Sequence, residues 1–478
     1  MIGLRMPDDD IDLLAIDRGC VTAPAGCGKT YKVVDALSRH HGKKPVLVIT
    51  HTNAGVAALR ARLGRANVAP SSYALATVDG WAMRIASTFP VRSSIDPAVL
   101  RLDDHRSDYP KIREAAAHLL ADGSLQDIVA ASYSRLIVDE YQDCSVRQHQ
   151  LLELVSEALP TCVLGDPMQA IFGFGADRLP DWNAEVCRSF PMAGTLDTPW
   201  RWINAGTEGL GRWLLAARSD LQSRRPIDLG GAPDEVRWVE LDGSTDQQKR
   251  HAAALTRAPG GTGSVLVIGD SSNPDGQRLF ASQTPGAVMV EAVDLRDFVQ
   301  FAEGFDVAAP DAIHQLLAYG QKLMTNTDVP RLLTRLQSLA AGTARKPAGA
   351  VESAGLAFLD APSHARAASL LDTIRVQPGV GVHRPLVLRA CLAALRACGV
   401  GNGTFADQAI RQRERYRATG RALPSRAVGS TLLLKGLEAE VVVILDGIRH
   451  DSKNLYVAMT RGSKLIVVCS PTQTLNPR

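Results

Sequence analysis

Short apolar runs, separated by polar or glycine-containing stretches, recur along the chain. They fall at residues 46–49, 136–138, 161–164, 265–268, 441–445 and 465–468, and each is about one strand long and apolar at consecutive positions. Consecutive apolar positions are typical of strands buried on both faces of a parallel sheet. Longer segments between them, such as 29–39 and 53–63, have apolar residues at helical spacing. The alternation predicts an α/β fold with parallel sheets and helical crossovers.

The apolar runs form two groups, one before about residue 170 and one that begins near residue 265 and resumes at the C-terminal end. The stretches 311–345 and 350–420 instead show helical spacing and are rich in Ala, Leu and Arg. We therefore predict two α/β cores, each interrupted by mostly helical material. The predicted parts are a first core at 1–63 and 134–200, a helical insertion at 64–133, a second core at 201–305 and 426–478, and a mostly helical insertion at 306–425.

Composition and charge narrow the function classes. The 478 residues include 53 Lys and Arg against 50 Asp and Glu, so a formal net charge of +3 gives no argument for nucleic-acid binding. The eight cysteines form no C-x-x-C pair, which argues against a zinc site or a disulfide framework. No run approaches the ~20 apolar residues of a membrane span, and the acidic N-terminal stretch lacks the features of a signal peptide. We expect a cytoplasmic protein with no membrane partner.

A glycine-rich segment at residues 23–30 (APAGCGKT) follows a short apolar run and precedes a helical segment. It matches the G-x-x-x-x-G-K-[ST] pattern except that Ala23 replaces the first glycine. Small residues let backbone N–H groups surround phosphates, the lysine reaches the β- and γ-phosphates, and the hydroxyl binds Mg²⁺. The alternative is a chance glycine-rich turn at a strand end. The predicted ATP-binding residues are Ala25, Gly26, Cys27, Gly28, Lys29, Thr30 and Tyr31.

Two carboxylates supply the other half of this predicted site. Asp139 and Glu140 directly follow the apolar run 136–138. A strand that ends in a carboxylate is how P-loop enzymes hold the metal, so Asp139 is predicted to bind Mg²⁺ together with Thr30. Glu140 is placed to orient and deprotonate the attacking water. An isolated acidic pair would more often be a solvated loop, but a P-loop on a preceding strand favours the catalytic interpretation.

Residues 139–143 (DEYQD) and 164–174 (LGDPMQAIFGF) resemble motifs II and III of the superfamily 1 helicases of the UvrD/Rep type. Other blocks resemble motif Ia, the block after it and motifs IV, V and VI, in the order of that family, and they lie at residues 48–53, 77–81, 199–201, 435–438 and 456–461. The ordered set spans nearly the whole chain. The resemblance implies two RecA-like cores that use ATP and Mg²⁺.

The resemblance implies further catalytic residues. Gln169 would contact the γ-phosphate, and Arg201 and Arg461 would approach it as arginine fingers. Fingers of this kind stabilise the charge of the transition state. Together with Lys29 and Glu140 they complete the predicted catalytic set.

Motifs IV and V imply further nucleotide contacts. Trp200 would stack on adenine, Gly436 would touch the phosphate and Glu438 the ribose. Two positions depart from the family pattern. Residues 1–19 contain no glutamine, which the family uses to recognise adenine, and Leu432 replaces the usual motif V histidine.

The resemblance also implies a surface for single-stranded DNA. Thr52, Asn53 and Thr77 would offer helix starts to phosphates. Phe172 and Phe174 would stack on bases, and His51 stands where the family has an aromatic residue that stacks. The alternative is that both phenylalanines are core residues.

These features together predict an ATP-dependent single-stranded DNA translocase or helicase, with a 3′-to-5′ polarity implied by the resemblance, acting on single strands or single-to-double-strand junctions. Three settings stay open. The chain could act alone in DNA repair, or pair with a separate nuclease like the UvrD-like subunit of the Gabija anti-phage system, since it ends soon after its last predicted strand. It could instead be a subunit that senses NTP or DNA ends, hydrolyses slowly and controls a partner nuclease, as Leu432 and the missing glutamine suggest.

Overall fold

The computed structural model describes residues 11–102, 104–123, 125–173, 177–418 and 424–477, without the side chains of residues 105, 106, 417 and 418. The chain divides into two compact units. The first comprises residues 1–236, 450–464 and 474–478, and the second residues 237–449 and 465–473. Within the described ranges, no helix is long and apolar enough to cross a membrane.

The N-terminal part of the first unit alternates strands and helices. Its elements are β1 (Arg18–Thr22), α1 (Lys29–Arg39), β2 (Val46–Thr50), α2 (Asn53–Arg65), β3 (Tyr73–Thr77), α3 (Val78–Thr88), α4 (Pro90–Ser93), α5 (His105–Ala121), α6 (Gln126–Ser132), β4 (Arg135–Val138), α7 (Val146–Ala158), β5 (Thr161–Gly165), α8 (Cys187–Ser189), β6 (Met192–Thr195), α9 (Trp200–Ala205), α10 (Glu208–Gln222) and β7 (Ile227–Asp228).

Six of these strands form one parallel sheet in the order β3-β2-β4-β5-β1-β6. The inner strands β2 and β5 are buried at every position, because apolar side chains cover both faces of the sheet. One core layer holds Trp81 of α3 and Leu152 of α7, and the other holds Val33 of α1 and Leu59 of α2. Since all six strands run the same way, their carboxyl ends meet at a single edge, where ligands bind in such sheets.

The second unit and the C-terminal segments contain the remaining elements. These are β8 (Val236–Glu240), α11 (Asp246–Ala254), β9 (Val265–Gly269), α12 (Pro274–Gln283), β10 (Val288–Met289), α13 (Arg296–Gly304), α14 (Ala312–Gln321), β11 (Met324–Thr325), α15 (Val329–Ala340), α16 (Ala350–Asp360), α17 (His364–Arg375), β12 (Gly381–Val382), α18 (Pro385–Gly399), α19 (Phe405–Ala418), β13 (Arg426–Ser430), α20 (Thr431–Leu434), β14 (Ala439–Ile444), α21 (Ser452–Met459), β15 (Gly462–Ser470) and β16 (Thr474–Leu475).

The second sheet has the strand order β10-β13-β9-β14-β15-β8, and β10, β13, β9 and β14 pair in parallel. Helices α13 to α19 pack around a hydrophobic cluster of their own, which includes Phe298, Leu316, Leu371 and Leu395. A short antiparallel pair, β11 with β12, lies within this helical region. The second unit is thus a strand-rich part with a helical part inserted into it.

The predicted α/β class with two parallel-stranded cores is confirmed, and each of the six apolar runs forms a strand. The sequence analysis did not predict the outer strands β3, β6, β8 and β10. They lie at sheet edges and are partly exposed, so they lack the full burial on both faces that makes an inner strand stand out. One consequence is that β3 belongs to the first sheet although it falls within residues 64–133, the range predicted as a helical insertion.

Two segments predicted for the second core lie in the first unit. They are residues 201–236 and 450–464. The physical reason is packing, because α21 contacts both α10 and the turn at residues 167–169. The order of motifs along a chain does not show which body a helix packs against. The four-part division at the predicted boundaries stays a prediction.

Candidate active site

The loop between β1 and α1 has the backbone conformation of a phosphate cradle. Gly26 and Gly28 have φ angles of 73° and 85°, in the left-handed region that favours glycine. A Cβ at Gly26 would lie 2.5 Å from the ring of Trp202, so glycine is also required by space. No side chain caps the start of α1. The N–H groups of its first turn therefore point toward the loop, where they can bind an anion.

Lys29, the first residue of α1, is buried against two carboxylates. Its Nζ lies 2.8 Å from Oε2 of Glu140 and 3.6 Å from Oδ1 of Asp139. Burial favours the neutral amine, but the two carboxylates outweigh it and raise the pKa of Lys29 above its ordinary value. Burial likewise raises the pKa of Asp139, more than the Lys29 charge lowers it. The lysine is therefore held protonated at the carboxyl end of β4.

Glu140 adopts a φ of 57°, which is uncommon for a residue with a side chain. Its backbone N–H donates to Oδ1 of Asp139 at 2.9 Å, and its Oε2 accepts from Nε2 of Gln142 at 2.6 Å. The other end of the Gln142 amide accepts from the backbone N–H of Asp166 at 3.0 Å. Strained backbone of this kind persists where its surroundings hold it, as these contacts do. Glu140 is thus set over Lys29 and linked to the end of β5.

The residues present fit a magnesium ion. Thr30 lies in the first turn of α1, beside the phosphate cradle, and Asp139 ends the neighbouring strand next to Lys29. A hydroxyl and a carboxylate are oxygen ligands of the type Mg²⁺ prefers, with phosphate oxygens and water completing its shell. Thr30 and Asp139 are therefore the residues that would hold it.

A second buried cluster joins Gln169 to Arg461. Gln169 donates from Nε2 to Oδ2 of Asp166 at 3.1 Å and accepts at Oε1 from Nη2 of Arg461 at 3.3 Å. Arg461 follows α21 and also donates from Nε to the carbonyl of Val457 at 2.9 Å. Gln169 and Arg461, predicted from separate motifs, therefore touch.

Arg201 lies against the phosphate cradle. Its backbone N–H donates to the carbonyl of Gly26 at 3.0 Å, and its guanidinium donates to the carbonyl of Thr460. Trp200 beside it is half-buried, and its Nε1 has no hydrogen-bond partner in the part of the chain that the structure describes. Tyr31 in the first turn of α1 is 45% exposed, so its ring is open to solvent.

Gly436 and Glu438 lie in the second unit, in the turn between α20 and β14. Gly436 has a φ of 81°, and Glu438 is exposed. Ser430 caps α20 by accepting from the N–H of Leu433 at 3.3 Å. Leu432, at the position of the family's motif V histidine, is half-buried in that helix.

The predicted nucleic-acid residues that the structure describes lie at the carboxyl edge of the first sheet. Thr50 of β2 and Thr77 of β3 are paired in register, and both strands lead directly into helices. Thr52 caps α2 by accepting from the N–H of Gly55, and Thr77 caps α3 by accepting from the N–H of Gly80, each at 3.0 Å. Thr52 and Asn53 are exposed, so the start of α2 faces solvent.

An aromatic pair lies at this same edge. The rings of His51 and Phe172 have centroids 5.5 Å apart and are tilted by 39°. Phe172 is half-buried, which leaves part of its ring accessible. Phe174 lies outside the described residues. The structure thus brings two of the predicted stacking residues together.

Sequence reasoning gave no role to three residues that hold the site. Tyr456 accepts at its hydroxyl from the N–H of Ala25 at 3.0 Å, and Trp202 packs under Gly26. Arg218 of α10 pairs with Asp166, with Nη2 and Oδ1 2.7 Å apart. Tyr456 lies inside a recognised block and could have been singled out there. Trp202 borders a block, whereas Arg218 lies in none and carries no local pattern.

Comparison with known proteins bears on the first part of the chain. Residues 13–175, about a third of the sequence, match the family described as AAA domain. The matched range contains the cradle, the carboxylate pair and Gln169. Together with the geometry, it supports a P-loop nucleotide hydrolase fold for this region. No curated protein matches the chain.

Among solved structures, the chain resembles the Pif1 helicase from Candida albicans. The two share 10% sequence identity over 94% of this chain and 91% of that one, with a TM-score of 0.38. This likeness is weak, and the functional argument rests on the residues of the site. Those residues place a lysine, two carboxylates, a glutamine and arginines around a glycine-formed loop.

Proposed function

We propose that this chain hydrolyses ATP and uses the energy to move along single-stranded DNA, as a helicase of superfamily 1. The observation that carries the proposal is the meeting of Lys29 with Asp139 and Glu140 beside a glycine-formed phosphate cradle. The Gln169–Arg461 contact in the same unit supports it, because a polar amide held by an arginine suits a group that senses a terminal phosphate. The AAA domain match of residues 13–175 is consistent with it.

The chemistry follows from the side chains. When ATP enters, its phosphates compete with Glu140 for the ammonium of Lys29, which frees the Glu140 carboxylate to accept a proton from water. Bound by Thr30 and Asp139, Mg²⁺ would neutralise charge on the β- and γ-phosphate oxygens. Arg201 and Arg461 add positive charge where negative charge builds up on the phosphate oxygens in the transition state. Arginine fingers contribute about 10³ to 10⁵ in rate.

The DNA part of the proposal rests on the carboxyl edge of the first sheet. The exposed helix start at Thr52 and the half-buried one at Thr77 suit phosphates, and the His51–Phe172 pair suits bases. Stacking tolerates any base, so binding without sequence preference is expected. The 3′-to-5′ polarity rests on the motif resemblance, and displacement of strands from substrates tailed at one end or the other measures it.

The test is ATP hydrolysis by the purified chain with and without an oligo-dT strand. The variants are Lys29→Ala and Glu140→Gln, with Lys43→Ala as a matched control, since Lys43 is exposed and outside the site. Stimulation by DNA that both site variants abolish and the control keeps is expected. A wild-type rate no higher than that of Lys29→Ala would overturn the proposal.

A second candidate is a regulatory subunit that senses NTP or DNA ends and hydrolyses slowly. The observation that favours it is the apolar motif V stretch, where Leu432 replaces histidine and Leu433 packs against the core. A histidine could carry information on bound DNA through hydrogen bonds, which leucine cannot. Unwinding of a tailed duplex would exclude this candidate. Slow ATP hydrolysis that DNA does not stimulate, in a chain that still binds DNA, would favour this candidate. It would also favour a nuclease partner in repair or phage defence.

A further inference from the structure

The Asp166 carboxylate is fully buried at the end of β5, yet it is surrounded by donors. Arg218 donates to Oδ1 from Nε at 3.1 Å and from Nη2 at 2.7 Å. The N–H of Met168 donates to Oδ1 at 3.1 Å, and Nε2 of Gln169 donates to Oδ2 at 3.1 Å. A buried carboxylate needs a compensating charge, and Arg218 provides it. The charge of Asp166 is therefore balanced by Arg218 of α10, a helix that contains none of the recognised motifs.

The two neighbours of Gln169 determine how its amide is oriented. A carboxylate such as Asp166 only accepts hydrogen bonds, whereas a guanidinium such as Arg461 only donates them. The NH₂ end of Gln169 must therefore face Asp166, and its oxygen must face Arg461, as observed. In the reverse orientation the Gln169 oxygen would face the Asp166 carboxylate, acceptor against acceptor, and its NH₂ would face the Arg461 guanidinium, donor against donor. Arg218 thus acts at one end of a chain of contacts that leads through Asp166 and Gln169 to Arg461.

We propose that Arg218 is a positioning residue for ATP hydrolysis, which acts through Asp166 on the amide orientation of Gln169. The inference rests on the proposed function, because it assigns Gln169 to the terminal phosphate. Among the described residues, the side-chain hydrogen bonds of Arg218 go to Asp166 and Gln222 and not to the cradle loop or Lys29, so its effect is expected to fall on the hydrolysis step. Binding of the nucleotide, which depends on the cradle and Lys29, is expected to stay close to normal.

Arg218 also lies near Tyr456, with its guanidinium carbon 6.0 Å from the ring centroid. Since Tyr456 holds the N–H of Ala25, a loss of packing there could disturb the cradle. This purely structural role makes a different prediction. If Arg218 only packed against Tyr456, Arg218→Ala would weaken nucleotide binding, and its effect on the hydrolysis rate would add to that of Gln169→Ala.

The experiment is a double-mutant cycle in single-turnover ATP hydrolysis, with Arg218→Ala, Gln169→Ala and the double variant. Arg218→Ala is expected to lower the rate roughly 10- to 100-fold, the scale of a misplaced catalytic group, with the Kd of a fluorescent ATP analogue within about twofold of wild type. In the Gln169→Ala background, Arg218→Ala should add almost nothing. Arg218→Lys should recover part of the rate, because an ammonium supplies the charge without the paired donors.

The matched control is Arg212→Ala, on the same helix, whose exposed side chain pairs with Glu208. It should leave rate and Kd unchanged. Additive effects in the cycle, or a loss of nucleotide affinity equal to the loss of rate, would overturn the positioning role. If wild type itself hydrolyses no faster than Lys29→Ala, the proposed function has failed, which is a separate outcome.

Removing Arg218 alone leaves a buried carboxylate unpaired, so Arg218→Ala can fail to fold. The paired variant Asp166→Asn with Arg218→Met removes both charges and keeps the volumes similar. An asparagine offers both a donor and an acceptor, so it no longer dictates which end of the Gln169 amide faces it. If the pair variant folds and hydrolyses ATP no faster than Arg218→Lys, the result supports the proposal. A wild-type rate in this pair would overturn it.

Discussion

The hydroxyl of Tyr456 accepts a hydrogen bond at 3.0 Å from the backbone N–H of Ala25, a residue 431 positions earlier in the chain. Tyr456 lies on α21 and is 1% exposed, so the bond is shielded from water. Burial raises the pKa of this phenol well above its ordinary value, and the group stays neutral. A helix near the C-terminus thus fixes one backbone group of the phosphate cradle.

Tyr456→Phe should destabilise the first unit and loosen the cradle. The ring is kept, but the N–H of Ala25 is left buried without its acceptor, which costs about 1–3 kcal/mol. We expect a lower free energy of unfolding in urea and a higher KM for ATP. Tyr319→Phe is the matched control, because the buried Tyr319 hydroxyl has no hydrogen-bond partner among the described residues. That control should be neutral or stabilising, and equal losses in both variants would contradict the role of the bond.

The fold was predictable where strands are buried on both faces. β2, β4 and β9 each contain a run of three or four consecutive apolar residues, and they were recognised for that reason. The edge strand β3 is half-buried throughout and its apolar stretch was not singled out, and β13 contains Gly429 and Ser430, which interrupt the pattern. Edge strands keep one side open, and their composition resembles that of loops.

The candidate site was predictable where its chemistry is local. Lys29 begins α1 directly after the cradle loop, and Asp139 directly follows β4, so a short pattern identifies both. The contact of Arg218 with Asp166 spans 52 positions and depends on how α10 packs. An arginine in an amphipathic helix is usually solvated, and nothing in the sequence separates this one from Arg212 on the same helix. Contacts of this kind follow from tertiary packing.

Phe172→Ala should weaken the binding of single-stranded DNA. Removal of one stacking ring costs about 1–3 kcal/mol, or roughly 5- to 150-fold in Kd. Phe172→Trp should bind at least as well as wild type, because it keeps a flat ring beside His51. Fluorescence anisotropy with a labelled oligo-dT strand measures both. An unchanged Kd in the alanine variant would show that the ring only packs against its neighbours.

The ion pair of Arg113 with Asp79 should couple two helices of the first unit. Arg113 of α5 donates to both oxygens of Asp79 at the start of α3, from Nε at 2.6 Å and from Nη2 at 3.0 Å, and reaches Asp177 at 3.3 Å. Its side chain is only 16% exposed. A double-mutant cycle of Arg113→Met and Asp79→Asn in urea unfolding should give a coupling of about 1–3 kcal/mol.

The comparison pair for that cycle is Arg178 with Glu185, which has similar two-oxygen geometry on the surface. Solvent screens exposed pairs and side-chain entropy opposes them, so little coupling is expected there. Equal coupling energies for the two pairs would show that burial of Arg113 contributes nothing.

His383 should make the second unit less stable in mild acid. Burial lowers the pKa of His383 from its ordinary value of 6.5 to about 4, and the positive charge of Arg384 adds to this effect. The unfolded chain therefore takes up a proton between these values while the folded chain does not. The stability contributed by neutral His383 is complete above pH 6.5 and is lost as the pH falls toward 4, by about 2 kcal/mol between pH 7 and pH 5. The free energy of urea unfolding measured across this range should decrease less steeply in His383→Asn than in wild type. Identical slopes would mean that His383 is protonated as easily in the folded chain as in the unfolded one, which its burial and the neighbouring guanidinium oppose.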